Sequence, residues 1–529
     1  MNNRRKILAV ASAMACLPMA TLAQQSVTVP VLPDECWWGI ATALGPQLPF
    51  TDDTRVFDLH AEDFNNQTSP LMVSSKGRYL WSDAAYTVQQ RRDTLYVATS
   101  GSAIEQGQAG TTLREAYQEV SKHFPPSGQI PPEVFFTQPT YNTWIELTYN
   151  QNQADVMHYA RQILAQHMEP GVLMIDDNWQ RDYGDWDFRA EKFPSPKAMV
   201  DSLHAMGFKV MLWVCPFVSP DCKVFRDHKD LFLRAKGSTE PAIIGWWNGY
   251  SACYDLSNPK AYAFFTRQLT DLQERYGVDG FKFDAGDPER YQQKDVDVFD
   301  GHSYDVAQSR LWAQLAGQFA FNELRACWGE QSRPLVQRLG DKPYSWKGVA
   351  DLVPSMINAG LIGYPFTCPD MIGGGDYGTF IGVETDDFDP ALIVRSCQIH
   401  SLMPMMQFSV APWRVLKPEY MDIIRRYADL HVQMGPYILE QARHAAATGE
   451  PIVRHMDYSF PGEGFERVTD QYMLGDRYLV APVYTPDNHR TVHLPRGRWR
   501  DDQGRVYRGG RTYDLTVPLD RLPYFERIK

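Results

Sequence analysis

Between about residue 134 and residue 440 the chain repeats one rhythm: a short apolar run, a stretch of helical period, then another apolar run. No other feature restricts the fold as much. "VFFTQPTYNTWIEL", "GVLMIDDNW", "FKVMLWVCPF", "VDGFKFDAG", "ELRACWGE", "PLVQRLGD", "LIGYPFT" and "MPMMQFSV" are the strand candidates. Among them lie "QADVMHYARQILAQHM", "PSPKAMVDSLHAMG", "PKAYAFFTRQLTDLQERYG", "SWKGVADLVPSMINAG" and "ALIVRSCQIHSL", which read as helices. A strand buried on both faces is an unbroken apolar run, and helical crossovers make neighbouring strands parallel. About eight such units predict an α/β fold, a (β/α)8 TIM barrel over 134–440, with active groups at the C-terminal strand ends. A doubly wound open sheet is the alternative.

Both flanks read as β. From 24 to 133, stretches such as "TRVFDLHAED", "LMVSSKGRYLW" and "YTVQQRRDTLYVATS" alternate with turn residues and predict an N-terminal β-sandwich. The Pro/Gly-rich Phe124–Glu133 closes it. From 441 to 529, "PIVRHMDYSF", "DQYMLGDRYLVAPVY" and "RTVHLP" predict a small C-terminal β-sandwich. At the N-terminus Met1–Lys6 is basic, Ile7–Leu17 is apolar, and Thr21-Leu22-Ala23 offers small residues at cleavage spacing. Residues 1–23 therefore read as a secretory signal peptide, and the protein as exported, periplasmic or extracellular. The apolar run falls short of the ~18 residues a membrane span needs. Lipidation at Cys16 is the lesser alternative, and no later run suits a span.

Charge and side-chain types narrow the partners. The net charge is −12, or −15 once Arg4, Arg5 and Lys6 leave with the signal. An acidic chain is a poor partner for phosphate backbones, which disfavours nucleic acid. Aromatic residues make up 13%, including 14 Trp and 27 Tyr; flat apolar rings suit the faces of sugars. Beyond Cys16 the cysteines are Cys36, Cys215, Cys222, Cys253, Cys327, Cys368 and Cys397. Their odd number and irregular spacing make neither a disulfide framework nor a zinc pattern. They read as buried small side chains, with a bridge among Cys215, Cys222 and Cys253 as the alternative. The histidines form no metal-binding cluster, and His400 and His455 read as structural. Gly373–Gly378 fits G-x-G-x-x-G, but no helix of the right pattern follows it. Neither a metal nor a cofactor is expected.

What remains is a set of carboxylates at strand ends. Asp176 and Asp177 close "VLMIDD", Asp284 closes "GFKFD", Asp341 follows "VQRLG" and Asp370 follows "YPFTCP". A single acid after a strand is commonly a helix cap or a turn former. Several in one barrel converge on one mouth, and a close pair of carboxylates is the apparatus of a retaining glycosidase. Asp284 is the candidate nucleophile. Alternation along Phe281-Lys282-Phe283-Asp284 puts Lys282 on its side of the strand, where a cation favours the ionised form. Asp287 lies on the following loop as a further acceptor or a cap. Spacing alone does not choose between Asp341 and Asp370 for the acid/base. Trp179, Trp186, Trp213, Trp246, Trp247, Trp328 and Trp346 lie in or beside barrel loops, each a stacking candidate or a core residue.

"GVDGFKFDAGD", "RLGDKPYSW", "GYPFTCPDMIGG" and "QYMLGDRYLVAPV", in that order, resemble glycoside hydrolase family 31 over roughly 135–490. The resemblance implies the barrel with β domains on both sides, no metal, and cleavage of α-linked sugars with retention. By motif position it places the nucleophile on Asp284 and the acid/base on Asp341. Asp176, Asp177, Trp179 and Arg338 would hold the sugar, with Trp213, Lys282 and Asp370 completing the candidate substrate-binding set. Two departures bear on specificity. Family α-glucosidases often carry Arg-Asn-His late in the barrel, whereas Met405-Met406-Gln407-Phe408-Ser409 stands here. Asp176-Asp177-Asn178-Trp179 is similar to the Asp-Asp-Gly-Trp of other α-galactosidase families, where the acidic pair reads axial O4 and O6. The expected protein is a retaining exo-α-glycosidase acting on terminal sugars of an oligosaccharide or glycoside, with galactose leading. α-Glucosidase, α-xylosidase and sulfoquinovosidase are the alternatives, and a catalytically silent carbohydrate-binding protein is the reading of another class.

Overall fold

The computed structural model describes residues 25–51, 55–62 and 64–528. The signal-peptide reading, with Cys16, lies outside the described residues. Eight short parallel strands follow one another in chain order: β1 (Thr140–Asn142), β2 (Val172–Ile175), β3 (Lys209–Val214), β4 (Gly280–Phe283), β5 (Phe321–Leu324), β6 (Gln337–Arg338), β7 (Thr367–Cys368) and β8 (Gln407–Phe408). β8 returns to β1, with Gln407 opposite Thr140. Just past β7, the Ile372 amide donates to the Gln407 carbonyl at 2.8 Å. The TIM-like barrel expected from the sequence is thus present. Its middle strands are apolar because they are covered on both faces: β2 and β4 are buried along their whole length.

Seven helices wrap the strands: α1 (Gln153–Ala165), α2 (Pro196–Ala205), α3 (Pro259–Tyr276), α4 (Val306–Ala316), α5 (Trp346–Leu361), α6 (Pro390–Ser401) and α7 (Pro418–Thr448). Their starts follow local chemistry. Asn152, Asn258, Ser345 and Asp389 accept backbone amides of the first turns of α1, α3, α5 and α6. α7 runs on past 440, where the sequence places the domain edge, and stops at Gly449, whose φ of 79° ends the helix.

"VFFTQPTYNTWIEL" is not one strand: Val134–Thr137 and Trp144–Leu147 are single helical turns around a three-residue β1. Phe135 and Phe136 are buried in that first turn, so its apolar run signals core rather than sheet. The β5–β6 connection has no crossover helix. Instead Cys327–Trp328 pairs in parallel with Gln67–Thr68 of the N-terminal domain.

The N-terminal domain has a four-stranded antiparallel sheet (Gln25–Pro30, Phe57–Asp58, Thr87–Arg91, Thr94–Thr99) and a second sheet of Trp37–Ala41, Gln67–Ser74, Arg78–Trp81 and Glu105–Gln108. It ends in a helix, Leu113–Val120, with a Thr112–Glu115 capping box. The C-terminal domain is a six-stranded sheet and an antiparallel pair, His489–Leu494 with Arg511–Thr516, around Met456, Phe460, Trp499 and Phe525. All seven described cysteines are free and buried, and no described helix is long and apolar enough to cross a membrane.

Candidate active site

The C-terminal strand ends open into one cleft of about 470 Å³. Its lining includes Asp176 and Asp177 after β2, Trp213 of β3, Lys282 and Asp284 at β4, Arg325 after β5 and Asp341 after β6. Phe64, Asn65 and Asn66 reach in from the N-terminal domain. Asp284 and Asp341, the nucleophile and acid/base candidates of the sequence, therefore share one cavity. Three non-glycine residues at these strand ends are left-handed: Asn178 (φ 78°), Ala285 (φ 59°) and Asp370 (φ 65°). Each costs on the order of 1–3 kcal/mol. The turn after Asp177 and the turn after Asp284 are what keep those carboxylates at the mouth.

Asp284 is gripped on both oxygens. Oδ1 accepts from Arg325 Nε at 2.9 Å and from the Ala285 amide at 2.8 Å. Oδ2 accepts from Trp213 Nε1 at 2.9 Å. Burial alone would raise its pKa. The charges of Arg325, Lys282 and Arg338 and the indole bond outweigh burial and hold the carboxyl well below the usual range. It stands ionised, as a nucleophile must. Asp287 takes the rest of the guanidinium, with Arg325 Nη1 and Nη2 at 2.7 and 2.8 Å.

Lys282 lies on the side of the strand that alternation gives it, but its bonding partner is not Asp284. Nζ donates to Asp176 Oδ2 at 2.7 Å across the barrel floor, and its effect on Asp284 is through charge. Burial would lower the Lys282 pKa; Asp176 reverses this and keeps the ammonium. Asp176 and Asp177 differ in what they have to spare. Asp177 Oδ1 accepts from the Asn178 amide and Gln180 Nε2, and Oδ2 from Tyr183 Oη and Asn248 Nδ2, at 2.7–3.0 Å. A carboxylate has about four lone-pair sites, so Asp177 is filled. Asp176 accepts the Asp177 amide and Lys282, which leaves room for sugar hydroxyls. Burial pushes Asp177 up to about 6 in spite of its donors.

Asp341 stands at the mouth, its side chain 39% exposed. Arg338 Nη1 donates to Asp341 Oδ1 at 2.7 Å and to Asp370 Oδ1 at 2.8 Å. Its Nε faces Glu323 Oε1 at 3.4 Å. Arg338 and Asp370 are buried and do not line the cleft. The sequence reading of both as sugar-binding residues is corrected here: they hold Asp341 and its loop. Asp370 Oδ2 also accepts the Lys342 amide at 2.7 Å. Burial pushes the Asp370 pKa up, and neighbouring Asp341 adds to that rise.

Residues 136–441 match the TIM-barrel domain of the glycosyl hydrolases family 31, and residues 449–528 match the C-terminal domain of the same family. The chain belongs to glycosyl hydrolase family 31. The myogenesis-regulating glycosidase of Mus musculus is 34% identical over 77% of this chain and 58% of its own length. An alpha-xylosidase of Emericella nidulans is 26% identical over 73% of this chain and 52% of its own. The chain thus spans little more than half the length of these relatives. A dextranase of Flavobacterium johnsoniae complexed with glucose superposes with a TM-score of 0.82 at 18% identity, covering 95% of this chain and 66% of that one, a likeness of fold.

Within this family 31 barrel, Trp179 is fully buried. It packs on Phe188 and donates from Nε1 to the Trp213 carbonyl at 2.8 Å. It therefore supports Trp213 and touches no substrate space, which corrects its sequence reading. Gln407, in the segment without the His, donates to Glu323 at 2.7 Å in the barrel core. His400 and His455 are buried, and burial pushes each down to about 3, which makes them structural and neutral. The sequence reading missed Arg325, Tyr183, Asn248 and Gly375. Arg325 was findable, since alternation in "ELR" puts Glu323 and Arg325 on one side of β5 and its end. The glycine run dismissed as a dinucleotide motif has a steric role: a Cβ on Gly375 would sit 2.9 Å from Asp341 Oδ1 and 2.8 Å from Asp370 Oδ1.

Proposed function

We propose that this chain is a retaining exo-α-glycosidase, most specifically an α-galactosidase. The observation that carries the reading is the pairing in one cleft of Asp284, held ionised by three cations, with Asp341, partly exposed at the mouth. Asp284 attacks the anomeric carbon while Asp341 gives its proton to the leaving oxygen. A β-linked glycosyl ester forms on Asp284. Asp341 then takes a proton from water, which displaces the ester and restores the α configuration. Trp213 and Arg325 fix the attacking carboxylate.

Two features favour galactose. Asp176 offers unfilled acceptor positions at the floor beside the Lys282 ammonium, a donor–acceptor pair suited to axial O4 and O6. The segment Met405-Met406-Gln407-Phe408-Ser409 lacks the Arg-Asn-His that family α-glucosidases often carry, and its Gln407 is turned into the core. A site built to bond one hydroxyl epimer rejects the other strongly, because buried polar groups are then left unpaired. Export is proposed on the N-terminal sequence alone. The test is hydrolysis of nitrophenyl α-galactoside, α-glucoside and α-xyloside, with the released anomer followed by NMR. Preference for the galactoside with the α-anomer released first is the expected result. Preference for another glycone ends the galactose reading, and release of the β-anomer ends the retaining one.

A further inference from the structure

The N-terminal domain meets the barrel through a run of polar residues, Asn66-Gln67-Thr68-Ser69, each at most 1% exposed. A buried polar side chain costs free energy unless it is bonded. The first two residues of the run bond to the strand ends of the active site. Gln67 Nε2 donates to the Arg325 carbonyl at 2.7 Å and to the Arg338 carbonyl at 2.9 Å. Asn66 Nδ2 donates to the same Arg338 carbonyl at 3.2 Å. Carbonyls only accept, so the nitrogen of each amide is the end that must face them. Gln67 Oε1 has no partner among the described residues, so the side chain is held by its donor end alone.

The two carbonyls belong to the arginines that hold the two candidate carboxylates. Arg325 Nε donates to Asp284, and Arg338 Nη1 to Asp341. β5 and β6 are joined by one residue pair only, Leu324 with Gln337. Arg325 and Arg338 come next on each strand, and there Gln67 supplies a cross-link between the strands. The same segment bears on the residue before Asp341: a Cβ on Gly340 would lie 2.7 Å from the Asn65 carbonyl. Phe64 and Asn65 are both left-handed, at φ 58° and 59°, a conformation that persists only where the surroundings over-determine it. Retention needs its two carboxyls about 5–5.5 Å apart, and a misplacement of about 1 Å costs on the order of 10²-fold. One amide that ties the backbones of both supports is placed to set that spacing.

We propose that Gln67 is a positioning residue of the active site: its amide, supplied by the N-terminal domain, fixes the acid/base relative to the nucleophile by tying the backbone of Arg338 to that of Arg325. The proposal rests on the roles given to Asp284 and Asp341 above. Arg338 takes both amide bonds, whereas Arg325 is also held by Asp287, so Asp341 is the carboxylate that moves when the tie is lost. Gln67→Met keeps the length of the side chain and cannot donate. In it kcat/KM for an α-galactosyl disaccharide falls by roughly 10–100-fold. The loss on a dinitrophenyl α-galactoside, whose leaving group needs no proton, is less than about threefold. In an Asp341→Ala background the same substitution costs the disaccharide less than about twofold, because the group it positions is gone. Ser69→Ala is the control for stability alone: it breaks a buried bond from Gln331 in the same strand, and it lowers Tm without selecting between the substrates. If Gln67→Met does not fold, Asn66→Ala takes its place and shows the same selectivity in weaker form. Equal losses on both substrates in the folded variant, an undiminished effect in the Asp341→Ala background, or the same selectivity in Ser69→Ala overturns the positioning role. Failure of the wild type on every α-glycoside, or equal losses on both substrates in Asp341→Ala, overturns instead the reading on which it rests.

Discussion

Arg325 places its Nε 2.9 Å from Asp284 Oδ1 and gives its two terminal nitrogens to Asp287. In the proposed mechanism Asp284 becomes an ester and its charge disappears, and a guanidinium held by that carboxylate alone would lose its partner. Asp287 keeps Arg325 compensated throughout, so the geometry around the nucleophile is the same before and after attack. Asp284 must be ionised to react. Burial pushes its pKa up, and Arg325 is the strongest of the groups pushing it down. Arg325→Met therefore raises it, and the acidic limb of the kcat/KM profile moves to higher pH. Activity at about pH 5 falls further than activity at about pH 8. A pH–rate profile reads this directly; an unmoved acidic limb contradicts the assigned role.

Asp341→Ala separates substrates by leaving group. The loss on a disaccharide is on the order of 10²–10⁴-fold, whereas a dinitrophenyl glycoside, whose phenolate needs no proton, is largely spared. Steady-state rates along a series of aryl leaving groups measure the difference. Equal losses throughout remove Asp341 from the acid's role.

Asp177 is a carboxylate that costs the fold something. Its pKa is pushed up to about 6, above the unfolded value of about 3.9. The folded state therefore binds the proton more tightly than the unfolded one between those values. Stability from this group is greatest below about pH 4 and declines as pH rises through about 6. Asp177→Asn abolishes that pH-dependent decline, worth up to roughly 3 kcal/mol. It also lowers turnover, because the Asn178, Gln180, Tyr183 and Asn248 donors lose their common acceptor. Urea unfolding of both proteins at about pH 5 and about pH 8 gives the comparison.

The legible and illegible parts of this site divide by distance in the chain. Asp177 closes an unbroken apolar run, and Asp284 closes one whose alternation at Phe281-Lys282-Phe283 shows which way it faces, so strand ends and acids are read together. Lys282 was placed on the correct side for the same reason. Which carboxylate it bonds is decided by β2, two strands and more than a hundred residues away, and one strand's sequence does not contain that. Trp179 and Arg338 carry the right chemistry in the right motifs, yet lie one layer below the surface of the cleft; depth follows from packing against Trp213 and Glu323. Trp247 reads from the sequence as a stacking or core candidate, but the place of the 244–253 hairpin over Asp177 comes from contacts of Trp246 with Phe217 and Tyr183. The pairing of Cys327–Trp328 with Gln67–Thr68, some 260 residues earlier in the chain, has the same tertiary origin.

Arg338 compensates three carboxylates, two of them, Asp370 and Glu323, fully buried. Removing one partner from such a group leaves charge stranded in the core, which costs about 3–5 kcal/mol. Arg338→Met lowers Tm by several degrees, while Arg181→Ala, which breaks only exposed pairs with Asp185 and Asp187, changes stability by at most about 1 kcal/mol. Scanning calorimetry on the two variants tests the contrast, and similar Tm values for both would show that Arg338 is not the hub of this cluster.

Gly375 offers a way to displace the proposed acid/base, Asp341, without removing it. The Gly374–Asp376 loop is clasped to the backbone beside Asp341, with the Gly375 and Asp376 amides each 3.0 Å from the Lys342 carbonyl. A Cβ at 375 would stand 2.9 Å from Asp341 Oδ1 and 2.8 Å from Asp370 Oδ1, inside contact distance for real side chains. Asp370 is buried and tied to Arg338 and the Lys342 amide, whereas Asp341 is partly exposed, so Asp341 is the group that moves. A shift of about 1 Å at a proton donor costs on the order of 10²-fold. Gly375→Ala should therefore reproduce the leaving-group pattern of Asp341→Ala in weaker form: a large loss on a disaccharide, a small one on a dinitrophenyl glycoside, and a Tm within a few degrees of wild type. Equal losses on both substrates, with the Tm unchanged, would mean that the alanine methyl disturbs Asp284 or the sugar rather than the acid.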